Sequence, residues 1–266
     1  MMSRTGNALS RQRGFTLFEA LLSMLLLTLV LYAAGKAIPL VLGPRAENVR
    51  FEEASALART TLEQLARLLQ NAAPNSVRTS TDGTCIEYMP TVSVTRYLGS
   101  LPTSGNGVSP ATTLTFGAPV TVDSSVKHAI VGAQAATEIY TSSSSASRAT
   151  VTSLNTDNAT LNPAHTFLRT SPGTRVFLAS DPKRVCRSAT SLLMIEDYGL
   201  DTGAVALNTG AGTSALMATN LATNNNLFTI TSLAGSNATL VQITLSMTSS
   251  VETLTLKREV TLANAY

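Results

Sequence analysis

The sequence feature that most constrains this chain is an apolar run close to its N-terminus. Between residues 15 and 35 the only charged residue is Glu19. A helix of about 20 apolar residues, rising about 1.5 Å per residue, is long enough to cross a bilayer. Arg4, Arg11 and Arg13 precede the run, and such cations hold their flank on the cytoplasmic side. The sequence therefore predicts one membrane anchor, with the bulk of the chain on the far side of the membrane.

The same three arginines explain the net charge. The chain carries 19 Lys and Arg against 16 Asp and Glu, a formal charge of +3. The arginines are the only charged residues before residue 15, so residues 15–266 are formally neutral. A nucleic-acid-binding domain needs a clustered basic face, and none is evident here. With 13% charged and 44% apolar residues, the chain is also unlike a highly charged disordered protein. We therefore expect a folded core and no nucleic-acid partner.

Glu19 separates this apolar run from an ordinary signal sequence. A carboxylate inside an apolar membrane segment costs about 2.5–3.5 kcal/mol at the centre and less near an edge. Such a group is retained when something neutralises it. A plain signal anchor, or a signal cut near Gly35, explains the arginines and the apolar residues and leaves Glu19 unexplained.

The residues around Glu19 resemble a known export signal. Gly14-Phe15-Thr16-Leu17-Phe18-Glu19, followed by an apolar helix, is similar to the signal of type IV prepilins and of the pseudopilins of type II secretion. The resemblance implies that prepilin peptidase cuts between Gly14 and Phe15 and that the new N-terminal Phe15 is methylated. It also implies that the Glu19 carboxylate neutralises the Phe15 amine of a neighbouring subunit during assembly. An isolated buried charge is far more costly than a buried pair, which gives this pairing its physical reason.

A second, amphipathic helical segment follows the apolar run. Pro39 and the Gly43-Pro44 step predict a kink or local opening between the two segments. Beyond them apolar residues recur at spacings of three and four, with charged residues on the other side, and Pro74 ends the pattern. The apolar positions are Phe51, Ala54, Leu57, Ala58, Leu62, Leu65, Leu68 and Leu69. This stripe predicts a helix that packs against a globular domain.

The remainder of the chain is predicted to be rich in β-structure. The last segment alternates apolar and polar residues over 241–247 and again over 253–262, with a turn between them, which predicts an antiparallel hairpin. Shorter strands are predicted at 85–90, 112–116, 119–122 and 174–178. Polar small-residue stretches at 142–145, 155–158, 203–213 and 224–226 predict surface loops.

Scattered pieces of the globular part resemble a narrower family, the MshO proteins, which are minor pilins of the MSHA type IV pilus system. The similar segments are 73–78, 86–91, 96–97, 171–177, 184–186 and 257–265. This resemblance implies a minor pilin of an MSHA-type pilus, built into the filament or priming its assembly.

Cys85 and Cys186 are the only cysteines. In an oxidising compartment an even pair indicates one disulfide, which would close a loop of about 100 residues. Two buried thiols are the alternative. Two cysteines without a Cys-x-x-Cys motif predict neither a cysteine-based zinc site nor a redox site.

No catalytic or metal-binding motif stands out. His128 and His165 lack a nucleophile signature beside them, so we expect surface or loop histidines. Four acids fit no calcium-loop spacing and are expected to be solvated loop residues. They are Asp181, Glu196, Asp197 and Asp201. No phosphate-binding Gly-rich motif is present, so we expect no cofactor, no metal and no enzymatic activity.

Together these patterns predict an α+β, pilin-like fold in three parts. Residues 1–14 form a cytoplasmic leader. Residues 15–73 form a long helix, transmembrane over about 15–42 and amphipathic over about 46–72. Residues 74–266 form a β-rich periplasmic or extracellular domain whose antiparallel sheet packs on the helix.

The predicted function is that of a minor pilin-like structural subunit involved in pilus assembly or adhesion. It is located first in the bacterial inner membrane and then in the pilus at the cell surface. The expected partners are other pilin subunits, prepilin peptidase and the inner-membrane assembly platform. A minor pseudopilin of type II secretion and a plain signal-anchored surface adhesin are the alternatives.

Overall fold

The computed structural model describes residues 16–208, 210, 212–223, 226–232, 238–248 and 252–263, with the backbone alone at 37–47. The chain divides into one unit ending at Arg50 and a second, compact unit beginning at Phe51. The first contains most of the apolar helix, and the second contains all the sheets.

One helix, α1, covers Leu17–Gln70. Its backbone remains helical through Pro39, Gly43 and Pro44, so the opening predicted there does not divide α1 into two elements. Each proline ring removes one backbone donor, and the remaining bonds keep the helix continuous. The helix ends at Gln70, and Asn71 donates its backbone N–H to the Arg67 carbonyl at 3.2 Å.

Fourteen strands follow in the described residues, all paired antiparallel. They are β1 Arg78–Thr79, β2 Cys85–Tyr88, β3 Thr91–Arg96, β4 Ala111–Thr115, β5 His128–Ile130, β6 Arg148–Leu154, β7 Asn158–His165, β8 Arg175–Ala179, β9 Lys183–Ser188, β10 Ser191–Glu196, β11 Thr213–Ala218, β12 Phe228–Ser232, β13 Ala238–Thr248 and β14 Thr253–Ala263. Short 3₁₀ turns occupy Ala136–Glu138 and Pro172–Thr174. The predicted α+β class is confirmed.

The strands form three sheets. The five-stranded sheet has the order β1-β2-β9-β10-β11, the three-stranded sheet β12-β13-β14, and the six-stranded sheet β3-β8-β5-β6-β7-β4. The strands β2 and β9 are neighbours although all six strands of the six-stranded sheet lie between them in the sequence. That sheet is therefore an insertion into a β2–β9 pair.

The stripe on α1 packs against the two smaller sheets. Leu62, Leu65 and Leu69 share one apolar core with side chains of β2, β9, β10, β12, β13 and β14. The six-stranded sheet has a separate core that includes Phe116, Phe167 and Leu178. Phe51, predicted to belong to the α1 stripe, is 38% exposed because the buried part of the stripe begins only at Ala58.

The C-terminal hairpin is confirmed, since β13 and β14 pair over eleven consecutive positions from Ala238↔Ala263 to Thr248↔Thr253. Within the predicted turn, residues 249–251 lie outside the described residues. The strand predicted at 119–122 is wrong. Val120 buries its side chain there and donates one backbone hydrogen bond to the Thr156 carbonyl at 2.8 Å, but no ladder forms.

Candidate anchoring and processing site

The start of α1 is stabilised by its own first turn. The Glu19 backbone N–H donates to the Thr16 hydroxyl at 3.3 Å and to the Thr16 carbonyl at 3.0 Å. Thr16 is therefore the N-cap. Glu19, three residues later, lies in the first turn, where a carboxylate interacts favourably with the helix dipole. The Thr-x-x-Glu spacing is a capping-box signal that the sequence reasoning overlooked. Gly14 and Phe15, the predicted cleavage and methylation residues, lie outside the described residues.

The helix beyond Glu19 has the character of a membrane span. Among the described residues, the segment Leu17–Lys36 is long and apolar enough to cross a bilayer, with a mean hydropathy of 2.1 and no part of it buried within the chain. Its serine and threonine hydroxyls are satisfied inside the helix, because Ser23 donates to the Ala20 carbonyl and Thr28 to the Leu25 carbonyl, both at 2.9 Å. Internal bonding of this kind is what a low-dielectric surrounding requires.

An aromatic and a cation lie together at the far end of this span. The Lys36 ammonium lies 5.4 Å from the centroid of the Tyr32 ring, one helical turn away. Tyrosine and lysine side chains of this kind favour the boundary between lipid and water. Glu19 near one end and Lys36 at the other therefore bound an uncharged stretch, residues 20–35, that makes up most of the segment Leu17–Lys36.

The comparison with protein families finds one match. A model described as the prokaryotic N-terminal methylation motif matches residues 9–34, which include Gly14, Phe15, Glu19 and most of the apolar segment. The chain matches none of the curated proteins and none of the solved structures with which it was compared.

The matched motif indicates a type IV pilin-like or pseudopilin-like precursor. Such a motif implies processing by prepilin peptidase and assembly with other pilins. The apolar helix that follows it is consistent with membrane anchoring.

In the compact unit that begins at Phe51, called the globular unit below, Cys85 and Cys186 form a disulfide. The two residues face each other directly across β2 and β9, with their Cα atoms 4.1 Å apart. Both are fully buried and pack with Ile195 and Val205. The bond thus ties together the two strands between which the six-stranded sheet is inserted.

A buried ion network lies beside the disulfide on the same face of the sheet, since residues two apart on a strand share a face. One oxygen of the fully buried Glu87 accepts hydrogen bonds from Arg184 Nη2 at 2.7 Å and from the Tyr198 hydroxyl at 2.8 Å. The other oxygen is ion-paired with Arg78. A buried carboxylate is tolerated only with such complete pairing.

The two arginines of this network also hold a loop over the sheet. Arg78 donates to the carbonyls of Asp201 at 2.7 Å and Gly203 at 2.8 Å. Arg184 donates to the Ala206 carbonyl at 2.7 Å and to the Asp201 carboxylate at 2.8 Å, and the latter bond holds the pKa of Asp201 below its usual value. Glu87 therefore fixes the loop 201–206 indirectly, through both of its cationic partners.

Each of the four acids considered for calcium has its own partner in the structure. Asp181 pairs with His128, Glu196 with Lys183 at 2.7 Å, and Asp201 with Arg184. Asp181 and Asp201 are partly exposed loop acids, as expected, whereas Glu196 lies on β10. Asp197 accepts a hydrogen bond from the Thr213 hydroxyl at 2.9 Å. Within the part of the chain that the structure describes, no three metal-binding side chains converge.

The expectation of surface or loop histidines is wrong. His128 is 4% exposed on β5 and His165 is 3% exposed on β7. His165 bonds the Ala146 carbonyl at 2.9 Å and lies edge-on to the Phe167 ring. Burial lowers the pKa of both histidines. The partners of both histidines come from segments that only the fold brings close, and a lone His in the sequence carries no signal of that pairing.

Proposed function

We propose that this chain is a minor pilin-like structural subunit of a type IV pilus, of the MSHA type. The observation that carries the proposal is the methylation motif at residues 9–34 leading directly into an unburied apolar helix. This arrangement suits a subunit that waits in the inner membrane and is then withdrawn into a filament. A structural role needs no catalytic site, and we propose none.

The proposed organisation follows the sequence. Residues 1–14 are a cytoplasmic leader removed by prepilin peptidase, about 15–42 span the inner membrane, about 46–72 form the amphipathic part of the helix, and 74–266 form the periplasmic domain. After cleavage between Gly14 and Phe15, the methylated Phe15 amine of one subunit pairs with Glu19 of its neighbour. The partners are other pilins, the peptidase and the inner-membrane assembly platform.

Mass spectrometry of the mature N-terminus tests the class of protein. We expect a chain that begins at N-methylated Phe15. An intact Met1, or a cut near Gly35, would instead favour the plain signal-anchored adhesin and overturn the proposal.

The pairing role of Glu19 is tested by Glu19→Ala. We expect normal cleavage and methylation but poor incorporation into sheared surface filaments, because the buried amine loses its counter-charge. Glu52→Ala is the matched control, since Glu52 is an exposed acid on the same helix outside the apolar segment, and it should assemble normally. Equal assembly of the two variants would contradict the pairing role.

The filament in which the protein is found distinguishes a pilus subunit from a subunit of a secretion pseudopilus. We expect the protein in sheared surface pili and unchanged export of secreted enzymes when its gene is deleted. Loss of secretion with intact pili would favour the minor pseudopilin.

A further inference from the structure

His128 occupies a junction between the six-stranded sheet and the rest of the globular unit. Its Nε2 lies 2.9 Å from the Asp181 carboxylate, and Asp181 belongs to the connection from β8 of the six-stranded sheet to β9 of the five-stranded sheet. Its Nδ1 lies 3.1 Å from Nη1 of Arg148, the first residue of β6. The imidazole thus links two segments that are far apart in the sequence.

Arg148 extends this link to the segment that follows β5. Its Nε donates to the Ile139 carbonyl and its Nη2 to the Thr141 carbonyl, both at 2.8 Å. The side chain is buried, with 6% of the residue exposed. One guanidinium therefore holds both the imidazole and the segment 139–141.

That segment in turn contacts the connection between α1 and β1 and the start of the five-stranded sheet. The Tyr140 hydroxyl donates to the Ser76 carbonyl at 2.9 Å, and the Arg78 guanidinium stacks 3.8 Å from the Tyr140 ring centroid. Ile139 and Tyr140 share a buried apolar cluster with Ala73. The two smaller sheets, the buried end of α1 and the connection from α1 to β1 together form what we call the helix-bound layer. The contacts run without a gap from His128 through Arg148 and Tyr140 to this layer.

The direction of these hydrogen bonds fixes where a proton would have to bind. A guanidinium only donates, so Nδ1 must be the accepting nitrogen and Nε2 must carry the hydrogen that Asp181 accepts. Protonation would add the second N–H of the ring at Nδ1, where its hydrogen would point at the Arg148 N–H. It would also place a cation beside Arg148 and near Lys127, with Asp181 as the opposing charge.

We propose that His128 is an acid-sensitive latch, whose protonation displaces Arg148 and releases segment 139–141 from its contacts with the helix-bound layer. At neutral pH the imidazole is uncharged and the chain of contacts is closed. In acid, the imidazolium repels the guanidinium, the carbonyls of Ile139 and Thr141 lose their donor, and Tyr140 is freed. The six-stranded sheet then loosens against the rest of the unit while its own core stays intact.

Hydrogen exchange with mass spectrometry on the full chain in detergent micelles tests this latch. Exchange is compared at pH 7.5 and pH 5, corrected for intrinsic rates. Amides in peptides covering 133–147 and 73–79 should exchange faster in acid. Their exchange rates should rise by up to about tenfold for each pH unit by which the His128 pKa lies below its ordinary value. Peptides from the β13–β14 hairpin should not respond.

Two variants identify the responsible residue. His128→Gln cannot acquire a charge, and its peptides confined to 137–142, which exclude the Ala146 contact of His165, should exchange equally at both pH values. His165→Gln is the control, because His165 is also buried and bonds the nearby Ala146 carbonyl, and over the same peptides it should keep the wild-type response. A response that persists in His128→Gln, or that vanishes in His165→Gln, would overturn the proposal.

A titration of the wild-type protein keeps the proposal testable if His128→Gln fails to fold. The His128 ring resonance should titrate below pH 6.5, the ordinary value, together with the backbone amides of Ile139 and Tyr140. A ring that titrates at or above that value, or amides that do not follow it, would refute the latch.

Discussion

At the scale of single residues, the most consequential buried group is the Glu87 carboxylate. It is fully buried, both of its oxygens are engaged, and its two arginine partners hold the loop 201–206. An ion pair of this kind adds little over an apolar replacement, but removing one partner leaves the other charges uncompensated.

We therefore predict that Glu87→Gln lowers the free energy of unfolding by about 3 kcal/mol. Urea denaturation of the wild type and the variant measures this difference. Glu63→Gln is the matched control, because Glu63 pairs with Arg67 at 3.8 Å with more than half of both side chains exposed, and exposed pairs contribute little. A comparable loss in the two variants would show that burial of Glu87 is not the cause.

At the scale of elements, the sequence predicts best where one strand or helix carries its own pattern. Alternation along 241–247 and 253–262 predicts β13 and β14, because each presents one face to the core. The spacing of Leu62, Leu65 and Leu69 predicts the buried face of α1 for the same reason.

The parts that the sequence misses depend on partners far along the chain. Glu87 and Arg184 are 97 positions apart in the sequence and meet only because β2 pairs with β9. The short β11 and β12 lie in stretches rich in Ser, Thr and Asn, where neighbouring strands, not local propensity, select the extended form. Both buried histidines also owe their partners to strand pairing, so no local signal identifies them.

The disulfide between β2 and β9 gives a prediction at this scale. Replacing both Cys85 and Cys186 by Ser should lower the free energy of unfolding by about 4–5 kcal/mol, because the bond closes a very long loop in the unfolded chain. The cysteines are 101 residues apart. Denaturation with and without reductant provides the control: reduction should weaken the wild type to the level of the variant and leave the variant unchanged. A wild type that does not respond to reductant would contradict the prediction.

At the scale of the whole molecule, exposed apolar side chains concentrate in one segment. Among the side chains that the structure describes, most of the large apolar ones that exceed half exposure lie between Leu17 and Tyr32. The unit that begins at Phe51 has its own buried cores and the disulfide. Solubility should therefore be limited by the anchor alone.

We predict that a fragment spanning 51–266 is soluble without detergent and forms the Cys85–Cys186 bond. Thermal unfolding followed by circular dichroism should give a midpoint close to that of the full chain in micelles, and light scattering should report no aggregates. Precipitation of the fragment, with the full chain soluble in micelles, would mean that the sheets need the anchor to fold.

The position of the six-stranded sheet within the chain has an evolutionary consequence. The polypeptide leaves the helix-bound layer at Pro90 and re-enters at Ser180, whose backbone N–H donates to the Pro90 carbonyl at 3.0 Å. Entry and exit are thus adjacent, like the two ends of a cassette. A gene could exchange, enlarge or shed the intervening segment by recombination at two points without rethreading the layer that holds α1.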